Sequence, residues 1–263
     1  MEIIVCIKQV PGTTNVKIDT QRGTLIRDGV ESIMNPFDEY ALEEGVRIKE
    51  KYGGRVIAIT MGPPQAEAVL REAISRGADE GVLLTDKAFA GADTWATSYT
   101  LSEGIKKIGA YDMIICGKQA IDGDTAQVGP SLAEHLNIPH CAYVRKIENI
   151  DIENKYIIVH RMMEDGTDVI KMPLPALITV VKEINTPRLP SFKRMVLAKK
   201  AQLAVWGQKE LRCDVNKIGL KGSPTNVEKV FTPPPRHGGE YIEGTPQEQA
   251  RKLIEKLKQL QII

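Results

Sequence analysis

Residues 113–136 read Met113-Ile114-Ile115-Cys116, then Gly117-Lys118-Gln119-Ala120-Ile121-Asp122-Gly123-Asp124-Thr125-Ala126-Gln127, then Val128-Gly129-Pro130-Ser131-Leu132-Ala133-Glu134-His135-Leu136. The apolar run 113–116 predicts a short buried strand. The polar run with glycines after it predicts a loop, and residues 128–136 predict a helix that stops near Asn137 and Pro139. Strand, loop and helix in that order are the repeating unit of an α/β fold.

The unit recurs towards the N-terminus. Residues 2–8, 55–60 and 81–84 read as strands, and residues 65–75 and 94–108 as helices. Another helix opens at Asn35-Pro36-Phe37-Asp38. Asn35 suits the N-cap, Pro36 the first helical position and Asp38 the electropositive first turn, while Gly53-Gly54 ends the run. Residues 16–19 and 24–27 flank residues 20–23 as a small hairpin. The predicted fold is therefore α/β: a mostly parallel sheet with helices on both faces. Right-handed crossovers place its strand-to-helix loops along one edge.

The pattern changes after Pro139. Residues 147–152, 156–160, 168–172 and 176–181 read as antiparallel strands that extend or flank the parallel sheet. From about Asn185, Pro187, Pro190, Pro224 and Pro233-Pro234-Pro235 break the periodicity. This predicts an extended C-terminal arm ending in a helix at residues 247–260, with Ala250, Leu253, Ile254, Leu257 and Leu260 as its apolar stripe. The expected division is an α/β domain over residues 1–185 and an arm over residues 186–263. The arm either docks on its own domain or wraps a partner.

Composition removes several functions. The 35 basic and 34 acidic residues leave a net charge of +1, which argues against a dedicated nucleic-acid binder. The longest apolar runs fall far short of the about 20 residues a membrane helix needs, so no membrane insertion is expected. The acidic opening Met1-Glu2-Ile3 lacks the basic start of a secretory signal. Cys6, Cys116, Cys141 and Cys213 are scattered without metal-ligand spacing, which predicts free thiols in a reducing cytoplasm and no metal site. No nucleophile elbow, zinc-binding H-E-x-x-H, P-loop or dinucleotide glycine fingerprint is present, and the four histidines form no constellation. No catalytic side chain is assigned.

The remaining chemistry lies in loops at the carboxyl edge of the sheet, where open α/β folds bind ligands. They are 8–14, 61–64, 91–98 and 117–127. In 91–98, small residues, the hydroxyls of Thr94, Thr97 and Ser98 and a helix N-terminus fit a phosphate; an ordinary N-cap by Asp93 or Thr94 is the alternative and the more frequent use of such a stretch. In 117–127, amides and hydroxyls fit adenine and ribose, with Asp122 and Asp124 turned away, capping or bonding ribose; a solvated acidic loop is the alternative.

These residues resemble the beta subunit of electron-transfer flavoprotein. The resemblance rests on Asn35-Pro36-Phe37 with Ala41-Leu42-Glu43-Glu44, on residues 58–63 (AITMGP), on Gly77-Ala78-Asp79, on Gly117 to Asp122 (GKQAID) with Asp124, Gln127 and Gly129, and on Asn185-Thr186-Pro187-Arg188 and Ala198-Lys199-Lys200. It implies a fold like that of adenine-nucleotide hydrolases and a heterodimer with an alpha subunit that carries FAD. It also implies a beta pocket lined by Cys6, Asn35, Pro36, Phe37, Asp38, Met61, Gly117, Lys118, Gln119, Ala120, Ile121, Asp122, Gly123, Asp124, Thr125, Ala126, Gln127 and Val128. AMP fills that pocket in most members. Residues 91–98 (GADTWATS), 10–14 (VPGTT, with Gly12 where many relatives carry Asp) and 222–225 (GSPT) further resemble the electron-bifurcating subgroup. There a second FAD replaces AMP, takes hydride from NADH and divides the electrons between a high-potential and a low-potential acceptor. This implies added contacts from Asp93, Thr94, Ala96 and Thr97, and ferredoxin or flavodoxin as a low-potential partner. Pro190-Ser191-Phe192 resembles the loop that docks on acyl-CoA-dehydrogenase-like or other flavin dehydrogenases, with Phe192 as anchor and Lys193 and Arg194 steering; Phe192 packed in its own core is the alternative.

Overall fold

The computed structural model describes residues 1–12, 17–19, 24–26, 32–228 and 238–263. Its strands and α-helices run β1 (Glu2–Cys6), β2 (Gln9–Pro11), β3 (Lys17–Asp19), β4 (Thr24–Ile26), β5 (Ser32–Met34), α1 (Pro36–Tyr52), β6 (Arg55–Met61), α2 (Glu67–Arg76), β7 (Glu80–Leu84), α3 (Thr94–Ile108), β8 (Met113–Gly117) and α4 (Val128–Leu136). Then follow β9 (His140–Asp151), β10 (Tyr156–Met162), β11 (Thr167–Pro173), β12 (Ala176–Val180), α5 (Phe192–Lys200), β13 (Ala204–Trp206), α6 (Gln208–Leu211) and α7 (Pro246–Gln259).

A nine-stranded sheet has the order β11-β10-β9-β12-β8-β1-β6-β7-β13. The pairs from β9 to β13 are parallel, and only β9–β10 and β10–β11 are antiparallel. Alternation along each strand divides the core in two. Ile3, Val5, Val56, Ala58, Met113 and Ile115 pack with Leu42 and Val46 of α1 and Val69 and Leu70 of α2. Ile4, Cys6, Ile57, Ile59, Ile114 and Cys116 pack with Leu101 and Ile105 of α3 and Leu132 of α4. Both faces are thus covered by helices, as a parallel array requires.

The chain runs from β1 through β6 and β7 on one side, then returns to place β8 on the other side of β1. The β1/β8 boundary is therefore where the order of winding reverses and where the strand ends leave a crevice.

Several expectations need correction. β12 is not an antiparallel flank: it inserts between β8 and β9, parallel to both. Every one of its residues is buried, as an interior parallel strand requires. The chain after Asn185 is not extended throughout. It forms α5 and α6, and β13 extends the sheet by pairing with β7. In the hairpin, β3 and β4 pair antiparallel with Asp19 opposite Thr24; its turn, residues 20–23, lies outside the described residues, as do residues 13 and 14 of the first loop and Pro233-Pro234-Pro235.

Contacts divide the chain into units 1–228 and 229–263. The expected boundary at 185/186 does not coincide with this division. The second unit contains α7, whose start is fixed by reciprocal bonds between Thr245 and Glu248. Among the described residues no helix is long and apolar enough to cross a membrane.

Candidate functional site

The crevice between β1 and β8 is closed by close approach. Cys6 and Cys116 sit opposite each other at the two strand ends. At Gly117 an added Cβ would lie 2.3 Å from Asp38 Oδ1 and 2.7 Å from the Phe37 carbonyl carbon. Only glycine lets the first turn of α1 settle against the end of β8. The Asp38 side chain then lies beneath the loop, 6% exposed, and accepts the Lys8 amide at 2.7 Å. Burial pushes its carboxyl up to about 7, against bonds from Asn35, Lys8 and Gly117 that favour the charged form.

Asn35 precedes α1 in the N-cap position, but its side chain makes no capping bond. It reaches across the crevice instead. Its Nδ2 donates to the Gln119 carbonyl at 2.8 Å and its Oδ1 accepts the Ile121 amide at 3.1 Å. Those two bonds imitate a strand pair and explain a polar side chain only 1% exposed. Lys8, from the loop after β1, donates to both carboxylate oxygens of Asp122 at 2.6 and 2.8 Å. Asp124 accepts from the Gln119 side chain. The two acids that would repel a phosphate are thus engaged within the crevice's own loops.

The loop ends in a change of backbone handedness. Ala126 has φ +54°, a value a residue with a Cβ seldom adopts, and Gln127 follows in the right-handed region. Alternating handedness turns consecutive amides into one concavity. α4 begins there, and its N-cap position supplies no side-chain bond to the first-turn amides. Gly129 draws this end down onto the sheet, since a Cβ there would meet the Thr179 methyl at 2.5 Å. The uncapped amides at the start of α4 can therefore donate to an anion such as a phosphate.

The 91–98 loop reaches the same place differently. Thr94 Oγ1 lies 3.0 Å from Gln127 Oε1, joining the starts of α3 and α4. Asp93 is an ordinary N-cap: Oδ1 accepts the Trp95 and Ala96 amides at 3.0 Å each. Its Oδ2 accepts the Thr225 amide and hydroxyl, while its own amide donates to Ser223 Oγ at 2.8 Å. Burial opposes ionisation of Asp93, but the bonds from Ala96, Thr225 and Trp95 hold its carboxyl below the usual range. Ser98 is fully buried and donates to the Trp95 carbonyl, so it supplies no ligand donor. Thr97 is half-buried in the first turn of α3, beside buried Ala96.

The structure therefore brings Cys6, Asn35 to Asp38, Thr94 and Gly117 to Val128 together at the winding reversal, with Met61 at the neighbouring end of β6. Tyr143 was not foreseen. A bulge in β9 holds it at φ +59°, with its amide on Thr179 Oγ1. Lys118 lies between its ring and that of Phe37, 5.5 and 5.6 Å from the two centroids. Nothing local in Cys141-Ala142-Tyr143-Val144 announces a bulge. At the docking segment, Phe192 and Lys193 face outward, but Arg194 does not join them. Its guanidinium turns inward to the carbonyls of Ile74 and Ala78, at 3.2 and 3.3 Å.

Comparison with known proteins identifies the family. A family model described as the electron transfer flavoprotein domain matches residues 22–210. The chain is 51% identical, over all of both chains, to an electron transfer flavoprotein subunit beta of Thermoanaerobacterium thermosaccharolyticum. It is likewise 51% identical, over all of both, to the caffeyl-CoA reductase-Etf complex subunit CarD of Acetobacterium woodii. It is 48% identical to an electron transfer flavoprotein subunit beta of Clostridium acetobutylicum, over 98% of each.

Proposed function

Because the chain belongs to the electron transfer flavoprotein family, as a beta subunit, we propose that its crevice holds the adenosine and phosphates of an FAD shared with an alpha subunit. Bound there, a flavin supplies hydride acceptance from NADH and one-electron delivery, towards the alpha-subunit FAD and a flavin dehydrogenase on one side and ferredoxin or flavodoxin on the other. The chain's own residues bind and orient. Asn35 fixes the 117–127 loop over the strand ends, the amides near Ala126 and the start of α4 face the phosphate, and Lys8 neutralises Asp122. Met61, Thr94 and Thr97 extend the cradle towards a second phosphate, whereas Ala96 is fully buried with its amide on Asp93 Oδ1. Residues 186–263 serve as the arm that embraces the alpha subunit, and Leu189 and Phe192 as apolar anchors for the dehydrogenase.

The observation that carries the reading is the meeting of the α3 and α4 N-termini at the Thr94–Gln127 bond, beside the positive φ of Ala126. The similarity to a subunit of a caffeyl-CoA reductase-Etf complex supports FAD. The Asp93 cap favours the second reading, AMP, because it occupies first-turn donors of α3 that a second phosphate would use. Co-expression with the alpha subunit and a count of extracted nucleotides separates them. Two FAD per heterodimer are expected. One FAD with one AMP replaces the first reading by the second, and an empty beta pocket removes both.

A further inference from the structure

Helix α5 has little apolar reason to lie where it does. Of its nine residues only Ala198 is buried. Phe192 is 83% exposed, Met195, Val196 and Leu197 are exposed, and Leu189 just ahead of it is 86% exposed. Nine residues also fall below the about 12–15 needed for a marginally stable helix in water. The hydrophobic effect and intrinsic propensity therefore do not fix it.

Three guanidiniums do. Arg71 of α2 donates through Nη1 to the Ala198, Lys199 and Ala201 carbonyls at 2.5, 3.2 and 3.3 Å, and it is oriented by Glu67. Arg194 of α5 donates to the Ile74 and Ala78 carbonyls at the end of α2. Each helix thus lends an arginine to the C-terminal carbonyls of the other, where orphan acceptors and the negative dipole end favour a cation. Arg188 clamps the approach to α5. Its Nε and Nη2 meet Glu43 at 2.8 and 3.1 Å, and Nη1 and Nη2 meet Glu50 at 2.6 and 2.9 Å. Ser191 closes the N-terminus by accepting the Arg194 amide at 3.3 Å.

We propose that Arg71, Arg188 and Arg194 are positioning residues for docking: they set α5 in advance, so that Leu189, Phe192 and Val196 enter an acidic-rimmed apolar recess of a flavin dehydrogenase as a rigid anchor. The inference rests on the docking role assigned to this segment above and adds how its geometry is held. The acidic rim follows from Lys193, Lys199 and Lys200, which stand exposed around the apolar residues. Pre-forming the helix removes an ordering cost that docking would otherwise carry.

The experiment uses the alpha–beta pair and, as probe, the reductase component of the Acetobacterium woodii complex. Its affinity is measured for the native pair and for Arg71→Met, Arg194→Met and Phe192→Ala, beside amide exchange over residues 192–200. The free native pair is expected to protect these amides, and both arginine variants to lose that protection. Docking then weakens by on the order of tenfold while nucleotide content stays constant. Arg194→Lys, which keeps a cation at the α2 carbonyls, restores part of the affinity. Phe192→Ala weakens docking with protection intact. Unprotected amides in the free native pair, or arginine variants that dock as the native pair does, overturn the inference alone. Absence of native docking, or no effect of Phe192→Ala, removes the docking role and the inference with it.

Discussion

Asp38 lies where three chain segments meet, and its charge is costly there. Burial is the largest cause of the shift to about 7, and the Asn35, Lys8 and Gly117 bonds only reduce it. In the unfolded chain the group ionises near its ordinary 3.8. Between those values the folded protein keeps a proton that the unfolded chain has released. The stability contributed by Asp38 is therefore full below about pH 4 and is lost as pH rises through about 7. Asp38→Asn removes this dependence. Between about pH 5 and about pH 8, native stability should fall relative to the variant by on the order of 3 kcal/mol, read from urea unfolding. Parallel pH profiles of the two proteins would show that the carboxyl ionises normally. The sequence places Asp38 in a helix's first turn, which is correct, but the dipole argument treats it as solvated. Its burial comes from Gly117, 79 positions away in sequence (117 − 38), and no local pattern carries that. Asn35 teaches the same lesson: its N-cap position is legible, yet its side chain serves the opposite wall of the crevice.

Elements were legible where apolar spacing and burial coincide. α3 and α4 fall at the expected 94–108 and 128–136 because their inward stripes include Leu101, Ile105 and Leu132. α5 was invisible because most of its apolar residues face outward and arginines hold it, so a reading based on burial finds only a proline-broken arm. β12 was legible as a strand, but its direction is set by insertion between β8 and β9, which follows from connectivity and not from its own five residues. The α4–sheet contact gives a test at this scale. Gly129→Ala gains about 1 kcal/mol of intrinsic helix preference. The new Cβ, however, would sit 2.5 Å from the methyl of buried Thr179 and 3.6 Å from Leu177. A β-branched side chain inside a parallel sheet has little room to yield. Overpacking should prevail, lowering stability by about 1–3 kcal/mol. It should also lift the start of α4 from the strand ends, which reduces retained nucleotide. A more stable variant with full nucleotide content would show that α4 is not seated by this contact.

At the scale of the whole chain, the two core clusters both lie within residues 1–228, and the sheet is completed there by β13. The second unit holds α7, with its own capping bonds and with Leu253 and Ile254 about half exposed. An amphipathic helix with an open apolar stripe gains little until something covers it. The first unit, by contrast, holds both buried core clusters and the nine-stranded sheet. Removing residues 229–263 should therefore leave the unfolding free energy of the remainder within about 1 kcal/mol of the full chain, because among the described residues of this segment none is buried. If residues 186–263 act as the embracing arm, the same truncation should abolish co-purification with the alpha subunit, since the helix and its apolar stripe leave together. Urea unfolding and affinity capture of the co-expressed pair read the two effects separately. A truncated chain that no longer folds would show the units to be one, and a truncated chain that still holds the alpha subunit would move the interface onto residues 1–228.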